Sequence, residues 1–372
     1  MIPYGHQSVD EEDIRAVTEV LRSDWLTCGA RVGEFESSVA DFCGAKHAVA
    51  VSSGTAALHA AMAALGIGPG DEVIVPAMTF AATANAVLYC GAQPVFADVD
   101  PDRLLIDPDQ AAELVTPATK AIVGVDYAGH PCDWIALRRL ADRHGLQLIA
   151  DSCHAIGART VDGVAAGTFG DMNIFSFHPV KHVATGEGGM VLTQDATLAE
   201  NARRFRNHGI TTTARQREKA HAWQYDMVEL GYNYRITDIQ CALGITQMHK
   251  LPASLDRRRE IAERYNARFQ GTPVRPLGAE SGVEHAYHLY VVRVAERDRV
   301  FADLRQQGIG VQVHYRPVHL HPYYRERLGT APGQCPVAEA AVNEILSLPM
   351  FPGLGEEDFA FVVRTLLETC PA

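Results

Sequence analysis

Several familiar signatures are missing from this 372-residue chain. Its eight cysteines, Cys28, Cys43, Cys90, Cys132, Cys153, Cys241, Cys335 and Cys370, form no CxxC pair, and thiols scattered this way point to a reducing compartment. Apolar runs break well before membrane-spanning length. Met1-Ile2-Pro3-Tyr4-Gly5-His6 has no charged stretch followed by an apolar one, so no signal peptide is expected and the cytoplasm is the simplest address. Basic charge is short: 33 Lys and Arg against 45 Asp and Glu leave a net charge of −12, which argues against broad nucleic-acid or anionic-membrane binding. A phosphorylated ligand stays possible, because backbone amides or a local cationic patch can hold one. No Gly-Lys-Ser/Thr of a P-loop occurs. Gly66-Ile67-Gly68-Pro69-Gly70 puts proline where a dinucleotide fingerprint needs an amide donor, so it reads as a turn, and a nicotinamide enzyme is disfavoured. Of His314, His319 and His321, only the last two are close, and no acidic residue stands at ligand spacing, so no metal site is expected.

What is present is the composition of an ordinary globular enzyme, 47% hydrophobic and 21% charged. Ser8 followed by Glu11 suggests a capping box for a helix reaching Arg22. Short apolar runs then alternate with helical patterns: Ala48 to Val51, Val73 to Pro76, Pro94 to Asp98, Ile122 to Val125 and Leu146 to Ala150. This predicts a mostly parallel sheet covered on both faces. Ile174 to Phe177 and Gly189 to Leu192 are too close for a full βαβ unit and read as neighbouring strands. From Thr237 to about Arg268 the pattern is helical, with a break expected at Pro252. Leu251-Pro252 is therefore the expected boundary between a large α/β domain, 1–250, and a small C-terminal α+β domain, 251–372. In the latter, His288 to Val292 and Val311 to Tyr315 read as strands.

Two stretches carry chemistry as a pair. Leu146-Gln147-Leu148-Ile149-Ala150-Asp151 ends an apolar run in a carboxylate, and thirty residues on Ser176-Phe177-His178-Pro179-Val180-Lys181 ends another in a lysine, ahead of Gly186-Glu187-Gly188-Gly189. A pyridoxal phosphate site needs both: an amine to bind the aldehyde and a carboxylate to keep the pyridine nitrogen protonated. Ser52-Ser53-Gly54-Thr55 sits where a strand gives way to a helix, a natural phosphate seat, although alone it reads as an ordinary helix cap. Phe80, at the next such turn, could stack on a cofactor ring and alone reads as a core residue.

In order, Ser53-Gly54-Thr55, Phe80, Asp151-x-x-His154, Ser176-x-His178-x-x-Lys181, Glu187-Gly188-Gly189 and Gly231-Tyr232-Asn233-Tyr234-Arg235 resemble the sugar aminotransferases of the DegT/DnrJ/StrS family, essentially end to end. The resemblance implies the aspartate aminotransferase-like fold type I, and a homodimer with shared active sites. It makes Lys181 the Schiff-base lysine, Asp151 the partner of the pyridine nitrogen and His154 a neighbour of the ring. Ser53, Gly54, Thr55 and Ser176 become phosphate contacts, Phe80 the stacking aromatic, and Asn233 a phosphate contact from the other subunit. Cys153 departs from the alanine usual there. Asp126-Tyr127-Ala128-Gly129, Asp151-Ser152-Cys153-His154-Ala155 and Val313-His314-Tyr315-Arg316-Pro317 are most similar to the branch serving pseudaminic acid biosynthesis. That branch aminates C4 of a UDP-linked 4-keto-6-deoxy-N-acetylhexosamine of L-altro type, with L-glutamate as donor. The implied substrate contacts are Tyr4, His314, Tyr315 and Arg316, while Arg31, Arg235 and Arg316 are candidates for the diphosphate. The alternatives are a different nucleotide ketosugar, a PLP enzyme of amino acids alone, and a non-enzymatic PLP-binding regulator. A dehydratase on this scaffold would carry histidine where Lys181 stands.

Overall fold

The computed structural model describes residues 1–370. Runs such as Ala48-Val49-Ala50-Val51 and Leu148-Ile149-Ala150 are apolar at every position because both faces of their sheet are covered. Strands β1 (His47–Val51), β2 (Glu72–Pro76), β3 (Gln93–Ala97), β4 (Thr119–Val125), β5 (Gln147–Asp151), β6 (Met172–Ser176) and β7 (Gly189–Thr193) form one sheet in the order β1-β7-β6-β5-β4-β2-β3. Neighbours from β3 to β6 are parallel, and only β7 runs against both of its neighbours, β6 and β1. The pleat sorts the side chains: Ala48, Ala50, Leu148 and Ala150 join one buried cluster, and Val49, Val51 and Ile149 join the cluster on the other face.

The first helices are α1 (Glu11–Leu21), α2 (Ala30–Cys43), α3 (Gly54–Ala64) and α4 (Ala81–Tyr89), and Trp134–His144 and Ala196–Phe205 also pack on the sheet. In α3, Ala56, Ala57, Ala60 and Ala61 are all buried; small side chains let the helix axis lie close on β6 and β7. The C-terminal part holds an antiparallel sheet of β8 (Arg275–Pro276), β9 (Tyr290–Arg293) and β10 (Ile345–Leu348), ordered β10-β9-β8. Its own core joins Val292 and Leu346 to Val300 and Leu304 of helix Arg297–Gln306 and to Val362 and Leu366 of helix Glu356–Thr369. Among the described residues, no helix is long and apolar enough to cross a membrane.

Three local expectations need correction. The first helix is capped by Asp10, whose carboxylate accepts from the N–H groups of Glu12 at 2.9 Å and Asp13 at 3.2 Å, while Asp13 closes the box; Ser8 instead lends its carbonyl to Gln247 Nε2 at 2.7 Å. No break occurs at Pro252. One helix runs Asp238–Phe269, with Leu251 and Leu255 buried in the large core and Ile261, Ala262, Tyr265 and Phe269 in the small one. Burial along both flanks outweighs the single backbone hydrogen bond that a proline removes. Val311 to Tyr315 is not a strand: a lone bridge joins Gln312 to Ser347, and the segment turns toward the large sheet, where the Tyr315 N–H meets Met78 Sδ at 3.3 Å.

Candidate active site

The carboxyl ends of β1, β2, β4, β5 and β6 open on one side of the sheet, where a doubly covered sheet leaves its crevice. The loops leaving them surround a cavity of about 410 Å³. Of the residues singled out in the sequence, Tyr4, Ser53, Gly54, Thr55, Phe80, Asp151, His154, Ser176, Lys181, His314 and Tyr315 line it. Four are placed elsewhere. Asn233 bridges to Asn207 outside the cavity, Arg235 Nη1 donates to Asn207 Oδ1 at 3.1 Å, and Arg316 is exposed, with Nη2 donating to the Leu320 carbonyl at 3.0 Å. Arg31 also lies away, paired with Glu34 at 2.8 Å.

Asp151 closes β5 and is 6% exposed. Thr83 Oγ1 donates to its Oδ2 at 2.8 Å, backed by the Thr79 hydroxyl 2.8 Å from that of Thr83, and the Cys153 N–H reaches Oδ1 at 3.3 Å. No cation pairs with this carboxylate among the described residues. A buried, unpaired anion facing a cavity is costly unless a cationic N–H comes to meet it. Lys181 follows β6 in a tight turn, its N–H bonded to the His178 carbonyl at 2.8 Å. Enclosure by protein pulls its amine below the ordinary lysine value, and Cys153 and Asp151 restore part of the loss.

The strand-to-helix turn after β1 supplies an anion seat. Ser53 Oγ accepts from the Ala56 N–H at 3.1 Å, while the Gly54 and Thr55 N–H groups and the Ser176 hydroxyl have no hydrogen-bond partner among the described residues. A Cβ on Gly54 would stand 2.8 Å from Ser176 Cβ, and one on Gly189 would stand 2.3 Å from the Ser53 carbonyl oxygen, so glycine is required at both positions. Phe80 caps α4 and is 60% exposed, its ring 5.9 Å from that of Tyr315. His154 Nε2 lies 3.2 Å from the Tyr315 hydroxyl, and its Nδ1 is buried without a partner. Burial and the nearby Lys181 hold His154 well below the usual histidine range, so it is neutral at neutral pH; burial pushes the Tyr315 phenol well up.

Thr83 and Thr79 were not singled out in the sequence, although Thr83 stands one turn beyond the capping Phe80. His288, whose ring is 4.3 Å from that of His154, had no local signal at all. Free amides and a hydroxyl at a helix start, a buried carboxylate without a cation and a lysine with a lowered amine together fit a phosphorylated pyridine aldehyde: anion seat, ring-nitrogen partner and carbonyl-binding amine.

Known proteins agree. Residues 7–367 match the DegT/DnrJ/EryC1/StrS aminotransferase family. The spore coat polysaccharide biosynthesis protein SpsC of Bacillus subtilis (strain 168) is 41% identical over 98% of this chain and 96% of its own. Among solved structures, Spr1654 of Streptococcus pneumoniae, assigned as a sugar aminotransferase, superposes in its PMP form with a TM-score of 0.94 at 31% identity, covering 99% of both chains; its PLP form gives 0.93. PseC of Helicobacter pylori, an aminotransferase involved in the biosynthesis of pseudoaminic acid, gives 0.92 at 32% identity over 99% of both chains. The fold is therefore that of the fold type I aminotransferases, and the cofactor is pyridoxal phosphate. The chain belongs to the DegT/DnrJ/EryC1/StrS family, as a sugar aminotransferase.

Proposed function

We propose that this protein moves the amino group of L-glutamate to C4 of a UDP-linked 4-keto-6-deoxy-N-acetylhexosamine of L-altro type, working in the cytoplasm as a homodimer. The observation that carries the aminotransfer is the meeting of Lys181 and the unpaired, buried Asp151 in one cavity beside a free helix start. When bound, pyridoxal phosphate supplies an electron sink that accepts the pair left behind when a proton leaves carbon. Ser53, Gly54, Thr55 and Ser176 would hold its phosphate, and Phe80 and His154 would contact its ring. Asp151, fixed by Thr83, keeps a proton on the ring nitrogen. Lys181, whose lowered amine is readily neutral, takes the proton from the donor α-carbon and returns one to C4 of the sugar. Tyr4, His314 and Tyr315 line the space beside these groups and orient the sugar; the exposed Arg316, outside the cavity wall, is the candidate for its diphosphate.

Asn233 completes the phosphate seat from the second copy. Its neighbourhood supports association: Trp223 is 86% exposed and Leu230 77%, with Met227 and Val228 exposed between them in sequence, apolar side chains that a second copy would cover. The L-altro substrate rests on the Asp126-Tyr127-Ala128-Gly129 and His314-Tyr315-Arg316-Pro317 motifs and on the likeness to PseC. The higher identity to SpsC favours a second reading, a different nucleotide ketosugar destined for a surface polysaccharide.

A single-turnover spectrum decides between them. The enzyme is converted by glutamate, freed of excess donor and mixed with the L-altro 4-ketosugar or its C5 epimer. Recovery of the starting spectrum with the L-altro sugar alone is the expected result. Recovery with the epimer alone moves the enzyme to another ketosugar, and silence with both removes this acceptor class.

A further inference from the structure

A second cavity, of about 290 Å³, also touches Lys181. His6, His182, Gln247, Lys250 and Arg258 contribute to its wall, and no Asp or Glu does. Lys250 is already committed, with Asp10 at 3.0 Å and Asp13 in closer contact. Arg258 is not. It is 2% exposed, and its Nη1 donates to the carbonyls of Tyr287 at 3.0 Å, His288 at 3.4 Å and Met350 at 3.0 Å. Its Nε is buried with no partner, and neither Nη2 nor any carboxylate completes the guanidinium among the described residues. Burial without a counter-charge pulls it down to about 10, which leaves it protonated at neutral pH. Elsewhere the fold pairs even a part-buried arginine: Arg206 has Glu36 at 2.6 Å. His182, 6% exposed, bonds the Ala286 carbonyl through Nε2 at 2.8 Å and leaves Nδ1 without a partner. A guanidinium out of water without an anion carries a large desolvation cost, and a carboxylate at its free edge removes it.

We propose that this second cavity is a carboxylate subsite, in which Arg258 holds the side-chain carboxylate of a dicarboxylic amino donor or the corresponding free dicarboxylate. The donor assignment rests on the glutamate reading above; the subsite itself does not. Nη1 ties three carbonyls together for the fold, Nε is enclosed by protein, and Nη2, which makes no hydrogen bond among the described residues, is the ligand's.

The test is thermal unfolding of the holoenzyme in glutarate and in glutaramide, its uncharged analogue, for the wild type and Arg258→Met. Glutarate is expected to raise the wild-type melting temperature by about 3 °C near saturation, with no effect of glutaramide and no shift in the variant. Equal shifts in both proteins, or none in the wild type, overturn the subsite. Where Arg258→Met does not fold, the wild-type contrast stands alone, and equal effects of glutarate and glutaramide overturn it. Donor kinetics assign the source. A preference for glutamate over glutamine of about 30-fold in kcat/KM that falls toward one in Arg258→Met identifies the donor carboxylate. An unchanged preference beside a lost glutarate shift keeps the subsite and identifies a free dicarboxylate. If neither amino acid converts the cofactor, the donor reading fails while the glutarate shift still decides the subsite.

Discussion

The two cavities that meet at Lys181 each bury a charge with no partner of opposite sign, and the signs differ. In the larger cavity it is the Asp151 carboxylate, held by Thr83 and the Cys153 amide; in the smaller it is the Arg258 guanidinium, held by three carbonyls. Neutral hydrogen bonds fix both groups in place without cancelling their charge. Elsewhere the fold pairs even part-buried charges, as with Arg206 and Glu36. An unpaired buried charge is a statement about what is expected to arrive: a protonated ring nitrogen at one, a carboxylate at the other.

The comparison breaks most completely at the lysine itself. Lys181→Ala is expected to lose at least about 10⁴-fold in the glutamate half-reaction while remaining folded, read by stopped-flow absorbance beside circular dichroism. Asp151→Asn keeps the shape and removes the charge, with an expected loss of about 10³-fold in kcat. A variant within threefold of wild type in that assay leaves Asp151 as a strand cap. Thr83→Val takes one donor from the carboxylate and is expected to slow the half-reaction about 10-fold without altering glutarate protection, which separates the two cavities. The smallest effect is on pH. Burial lowers the free Lys181 amine of the cofactor-free protein from its ordinary 10.5, and only the neutral amine condenses with the aldehyde, so the rate of reconstitution with pyridoxal phosphate rises with pH and levels off below 10.5. Because Asp151 raises this amine, Asp151→Asn moves the limb to still lower pH; a shift upward contradicts the assignment.

Much of the larger cavity was legible in sequence because its parts sit at strand ends, where an apolar run stops at a residue that does not belong to it. Asp151 after Ala150 and Lys181 after the β6 segment are of that kind, as is the Ser53-Gly54 turn after Val51. The smaller cavity was not legible. Arg258 lies in Arg257-Arg258-Arg259, where the three look alike; only the helix phase, read against two cores at once, buries the middle one. Thr83 and His288 escaped for the same reason, since their roles come from what the fold places beside them. The Pro252 break failed because a local preference met an apolar face buried on both sides of it, and the Ser8 cap failed because Gln247, far along the chain, claims the Ser8 carbonyl.

The most direct test of the central claim is borohydride reduction of the protein loaded with pyridoxal phosphate, followed by peptide mass mapping with and without prior glutamate. The account predicts one pyridoxyl mark, on Lys181, abolished when glutamate is added first. A mark on Lys250 or Lys120, or one on Lys181 that glutamate does not remove, would contradict it.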